Sequence, residues 1–65
     1  MQVDLNGVRI DTTAASLAAL IDERGFDPAS IATAVNGDFV PRPLREGTKL
    51  ADGDKIEVLS PMQGG

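Results

Sequence analysis

Hydrophobic and polar residues alternate from the start of the chain. Val3 and Leu5 stand against Gln2, Asp4 and Asn6, then Val8 and Ile10 against Arg9 and Asp11. A period of two marks a strand with one buried face. Asn6-Gly7 separates the two runs. A two-residue type I′ turn needs positive φ at both central positions, which Asn and Gly tolerate best. The pattern predicts an antiparallel hairpin with strands over about 1–5 and 8–11.

The period then changes. Leu17, Leu20 and Ile21 are spaced i, i+3, i+4, one face of a helix, and Ala18 and Ala19 favour that state at little entropic cost. Ser16 is the expected N-cap, with Thr13 as the alternative. Gly25 falls where a left-handed residue would close the helix, Phe26 would pack back on its last turn, and Asp27-Pro28 bars continuation.

Ile31-Ala32-Thr33-Ala34-Val35 is short, β-rich and mostly apolar, which predicts a central strand covered on both faces. Asn36-Gly37 is a second hairpin signal, followed by Phe39-Val40. Pro41 and Pro43 lack amide donors, so that strand should be short and near a sheet edge. Residues 42–51 are irregular, with room for one helical turn near Leu44. Asp52-Gly53-Asp54 reads as a turn, and Lys55 to Leu59 alternates into a last strand. The order is strand, strand, helix, strand, short strand, strand. It predicts an α+β domain in two layers, a mixed sheet packed on one helix, which is the order of the ubiquitin-like β-grasp fold. A ferredoxin-like fold would need a second full helix, which 42–51 is too short to supply. The domain is expected over 1–59, with 60–65 as a flexible C-terminal tail.

Composition narrows the chemistry. Sixty-five residues make one domain. There is no Cys and no His, which removes disulfides, thiolate nucleophiles, the usual zinc sites and the commonest general base. Stability must come from a compact aliphatic core with two Phe. The formal net charge of −4 gives no basic footprint for nucleic acid and suits a partner with a basic face. No apolar run approaches the ~20 residues that would span a bilayer. The first residues carry neither the basic nor the apolar region of a signal peptide, so a cytoplasmic location is expected. Asp52 and Asp54 lack further ligands at calcium-loop spacing, and Gly47 and Gly53 make no phosphate loop. Asp22 and Glu23 are helix neighbours that point different ways, so they are no catalytic pair.

The remaining candidate chemistry is at Gly64-Gly65. A carboxylate on two residues without Cβ can be threaded into a narrow enzyme site. The hairpin on Asn6-Gly7, the block Ala34-Val35-Asn36-Gly37-Asp38-Phe39-Val40-Pro41-Arg42, and the block from Leu50 to Leu59 leading to Gly64-Gly65 together resemble the ThiS family. These are small sulfur carrier proteins of thiamine biosynthesis. The resemblance covers essentially the whole chain. It implies a β-grasp fold and a carrier that is not itself an enzyme and holds no cofactor. It implies that a ThiF-like adenylyltransferase activates the carboxylate of Gly65 with ATP. Sulfur from a donor such as a cysteine desulfurase then gives a C-terminal thiocarboxylate, which a ThiG-like thiazole synthase consumes. Gly64 matches the other terminal glycine of the family. No nucleic acid and no membrane partner is implied.

Partner binding is expected along the tail, at Pro61, Met62, Gln63 and Gly64. Further docking candidates are Phe39, Pro41 and Leu59, although Phe39 and Leu59 are expected in the core. Arg42 and Arg45 are expected as solvated surface residues. Two other destinations for the same ending are the small subunit of molybdopterin synthase and a ubiquitin-like modifier that joins Gly65 to a lysine. A non-covalent β-grasp interaction module would not need the diglycine.

Overall fold

A computed structural model describes residues 1–60. Five strands and one helix follow the predicted order: β1 (Gln2–Leu5), β2 (Val8–Asp11), α1 (Leu17–Glu23), β3 (Ala32–Val35), β4 (Asp38–Val40), a 3₁₀ turn at Arg42–Leu44, and β5 (Lys55–Leu59). The sheet order is β2-β1-β5-β3-β4. β1 and β5 are parallel, and the other neighbouring pairs are antiparallel. This mixed sheet with one helix is the β-grasp architecture.

Both hairpins form as their turn residues dictate. Asn6 and Gly7 have φ of 51° and 85°, and Asn36 and Gly37 have 52° and 87°, the left-handed pairs that a type I′ turn requires. The helix is closed at both ends. The Ser16 hydroxyl accepts from the Ala19 amide at 3.1 Å. The amides of Leu17 and Ala18, which no helix can satisfy internally, donate to the carbonyls of Thr48 and Arg45 at 2.9 and 3.2 Å. At the other end Gly25 takes φ of 78°. Its amide and that of Phe26 donate to the carbonyls of Asp22 and Ile21, each at 3.1 Å, the paired bonds of a Schellman closure. Phe26 packs against the core as that motif allows.

The core lies between α1 and one face of the sheet. Leu17, Leu20 and Ile21 of the helix meet Val3, Leu5, Ile56 and Val58 of the strands, and Ala14 and Leu50 close the cluster. The acidic turn at 52–54 fastens the strand ends and needs no metal to explain it. Asp52 accepts from the Gln2 amide at 2.7 Å, and Asp54 accepts from the Ala51 amide at 2.8 Å.

Two sequence expectations are corrected here. The strand after the helix, β3, is neither central nor covered on both faces. β5 holds the centre of the sheet, and in β3 only Thr33 is buried. A single helix can cover only one sheet face, so the small apolar residues Ala32 and Ala34 lie on the other. Arg45 is not a solvated surface residue but is only 4% exposed. Its Nε donates to the Thr33 hydroxyl at 3.0 Å, and its two terminal nitrogens donate to the carbonyls of Pro28 and Ile31 at 2.9 and 2.8 Å. The Thr33 hydroxyl in turn donates to the Val40 carbonyl at 2.8 Å. One side chain thereby ties the loop after α1, β3 and the 3₁₀ segment together. Loss of solvation lowers its pKa, with a smaller contribution from the Arg42 charge.

Candidate functional site

The register sorts every strand residue onto one of two faces. Ile56 and Val58 of β5 point to the helix, and Lys55, Glu57 and Leu59 point away. Glu57 lies beside Ala34 and Leu59 beside Ala32, while Ala34 also faces Phe39 across the β3–β4 ladder. The open face therefore has two halves. On the β1–β2 side it is charged, with Asp4 opposite Arg9 and Lys55 in the ladder register. On the β3–β4 side Phe39, Leu59 and the two alanines make an apolar strip.

Phe39 is 69% exposed and Leu59 is 66% exposed. This overturns the expectation that both belong to the core, and it brings the two docking candidates together. They flank a shallow groove of about 110 Å³ floored by Ala32 and Ala34, with Glu57 at its side. Large apolar side chains left open together on a small domain mark a contact surface more often than chance exposure does. Pro41, the third body candidate, is half-buried just past β4, and Arg42 is exposed beside it.

The strip matters because of where the chain goes next. Leu59 is the last residue of β5 and Ser60 the last that the structure describes. Gly65, and with it Gly64, Gln63, Met62 and Pro61, lies outside the described residues. A partner seated on Phe39 and Leu59 would meet the chain at the point where it leaves the sheet. Six residues from Ser60 to Gly65 can reach at most ~20 Å when extended.

A second depression, of about 400 Å³, lies on the helix side between α1 and the 3₁₀ turn with the residues just after it, lined in part by Ile21, Pro28, Pro43 and Arg45. Asp22, Arg42 and Glu46 also line it, and the Arg45 side chain in its wall is already committed to the fold. Among the described residues no group of three or more acidic, His or Cys side chains is placed to hold a metal ion. No helix among them is long and apolar enough to cross a membrane.

The ThiS family model matches residues 2–65. In three dimensions the chain is similar to the crystal structure of a thiamine biosynthesis protein (ThiS) from Geobacter metallireducens, with a TM-score of 0.84, 26% identity and full coverage of both chains. It is also similar to a solution structure of a thiamine biosynthesis protein from the same organism, with a TM-score of 0.75 and 24% identity over 91% of this chain and 81% of that one. The latter likeness bears on the fold. No curated protein sequence is a significant match.

Proposed function

The chain belongs to the ThiS family, and on that premise we propose that it carries sulfur for thiazole formation in thiamine biosynthesis, as a thiocarboxylate on Gly65. The observation that carries this reading is the extent of the family match, which runs through the body and on to Gly64-Gly65. The apolar strip beside the end of β5 supports it, because a carrier must present its body to one enzyme while its tail enters that enzyme's site.

The chemistry asks little of the carrier's own side chains. A carboxylate is a poor acyl donor because oxide is a poor leaving group. Attack of the Gly65 carboxylate on the α-phosphorus of ATP forms an acyl-adenylate and releases pyrophosphate. Hydrosulfide then adds to the acyl carbon, the C–O bond to the phosphate breaks, and AMP leaves with the electron pair. If the sulfur arrives as a persulfide, the first product is an acyl disulfide, and a thiol must reduce it to free the thiocarboxylate. The adenylyltransferase supplies catalysis in each step, and the carrier supplies the acyl group and the arm. Terminal glycines leave both faces of the acyl carbon open to the attacking sulfur and to enclosing backbone.

The test is an intact mass after incubation with ATP, the adenylyltransferase and a sulfur donor. The expected product is heavier by the difference between sulfur and oxygen, with the change mapped to Gly65. An unchanged mass under conditions where a known carrier of this family is converted would defeat the reading.

The docking strip has its own test. Phe39→Asp and Leu59→Asp alter exposed positions, so each should leave stability within about 0.5 kcal/mol. Each should weaken binding to the adenylyltransferase by about tenfold or more, since it would bury a carboxylate without a partner in an apolar contact. Titration calorimetry reads the binding, and thermal unfolding the stability, of the two variants beside the unaltered chain. Undiminished binding would move the docking surface elsewhere.

A further inference from the structure

Both Asn-Gly turns do more than reverse the chain, because each places an asparagine side chain on the backbone of β5. The ladder between β1 and β5 ends at Leu5 and Ile56. Beyond it the Asn6 amide donates to the Ile56 carbonyl at 2.9 Å, and β1 then turns away into the hairpin. The N–H and C=O of Val58 point to that vacated side. The Asn6 carboxamide meets both. Its oxygen accepts from the Val58 amide at 2.8 Å and its nitrogen donates to the Val58 carbonyl at 3.2 Å. A primary carboxamide offers the same donor and acceptor pair as a peptide group, so the side chain stands in for one further residue of strand. At the opposite end of β5 the Asn36 carboxamide accepts from the Lys55 amide at 3.0 Å and donates to Asp54 at 3.0 Å.

The two clamps differ in position. Asn36 holds the residue where β5 begins. Asn6 holds the residue next to Leu59, where β5 ends and the path to Gly65 begins. The Val58 side chain is packed in the core and its neighbours Glu57 and Leu59 lie opposite Ala34 and Ala32 of β3, but the partners of its own N–H and C=O are the two ends of the Asn6 carboxamide. We propose that Asn6 is a positioning residue for the C-terminal segment, its side-chain amide holding β5 straight through Val58 so that the chain leaves the sheet in a fixed direction beside the Phe39–Leu59 strip. The inference rests on the carrier reading for its consequence in catalysis, but the clamp itself can be measured without it.

A glycine can take the left-handed backbone of residue 6 and has no side chain to clamp with. Asn6→Gly therefore keeps the turn and removes both bonds to Val58. Asn36→Gly does the same at the start of β5, about 10 Å away along the strand, and serves as the control for any general loosening. In the full chain, amide exchange followed by NMR should show Val58 exchanging roughly tenfold faster in Asn6→Gly, with Ile56 little changed. Relaxation should show Leu59 and Ser60 newly mobile in that variant and not in Asn36→Gly. With the adenylyltransferase, Asn6→Gly should lower kcat by about tenfold or more, because a small misplacement of the reacting group is costly. KM should hold within about twofold, as the docking strip is untouched.

Asn6→Asp, which tolerates the same backbone, keeps the acceptor toward the Val58 amide but sets an oxygen against the Val58 carbonyl, so it should not restore the wild-type exchange at Val58. Equal loss of kcat in Asn6→Gly and Asn36→Gly would reduce the effect to stability and overturn the proposal, as would unchanged exchange at Val58. If the unaltered chain is not adenylated, the carrier reading fails, and the exchange and relaxation data still decide whether Asn6 fixes the end of β5.

Discussion

A chain shortened by Gly64 and Gly65 is expected to fold as the full chain does and to deliver no sulfur. The core cluster of the described residues runs from Val3 to Val58, with Phe26, Ile31 and Val40 packed on it, and a glycine has no side chain to add to a core. The consequence for chemistry is of another order. The shortened chain would end at Gln63, with its carboxylate drawn back by about 7 Å. Reaction requires the attacking atom within about 3–3.5 Å of its target, and an error of 1 Å can already cost about a hundredfold. The Gln63 side chain would also stand where the full chain presents hydrogen atoms alone. The expected result is an unchanged thermal transition and no detectable thiocarboxylate by intact mass, even after prolonged incubation with ATP, the adenylyltransferase and a sulfur donor. A cell that depends on this chain for thiamine should then require thiazole in its medium. Sulfur transfer by the shortened chain at an appreciable rate would place the reactive group elsewhere and end the carrier reading.

Arg45→Met is expected to cost about 3 kcal/mol of folding stability. The flexible methionine fills much of the same volume but cannot donate. Three hydrogen bonds disappear together, and the carbonyls of Pro28 and Ile31 lose the Arg45 donors. A buried polar atom left without a partner costs about 1–3 kcal/mol, while a satisfied bond contributes only about 1. The loss is large against the stability a domain of this size possesses, and it should lower the melting temperature by roughly 12–24 °C. Arg45→Lys should rescue little of it. Three different nitrogens of the guanidinium reach three separate oxygens, a fork that a single ammonium on a flexible stem cannot reproduce. A melting temperature within about 2 °C of the unaltered protein would show that water replaces the lost donors. The damage should fall first on the β3–β4 hairpin, since Thr33 links Arg45 to the Val40 carbonyl, and that hairpin carries Phe39.

What could be read from the sequence is what near neighbours decide. Asn6-Gly7 and Asn36-Gly37 announce their hairpins because positive φ is a local demand. Ser16, Gly25 and Phe26 announce the ends of α1 because a cap bonds to residues within five positions. Lys55 to Leu59 alternates because the chain is pleated. The ending at Gly64-Gly65, set beside the blocks from Ala34 to Arg42 and from Leu50 to Leu59, was enough for the family resemblance and the chemistry it implies.

Only the tertiary structure decided which surfaces remain open and which polar groups are enclosed. Alternation tells that a strand has two faces and not which of them a helix will cover. Phe39 and Leu59 read as core for that reason, and they lie on the uncovered face because the fold has one helix for two sheet faces. Arg45 reads as surface because arginine mostly is. It is enclosed because Thr33, Pro28 and Ile31, each 12 or more positions away, converge on its guanidinium. Asn6 reads as a turn residue and nothing more. Its hold on Val58 spans 52 positions and exists only because the parallel pairing of β1 with β5 brings the first hairpin to the end of the last strand.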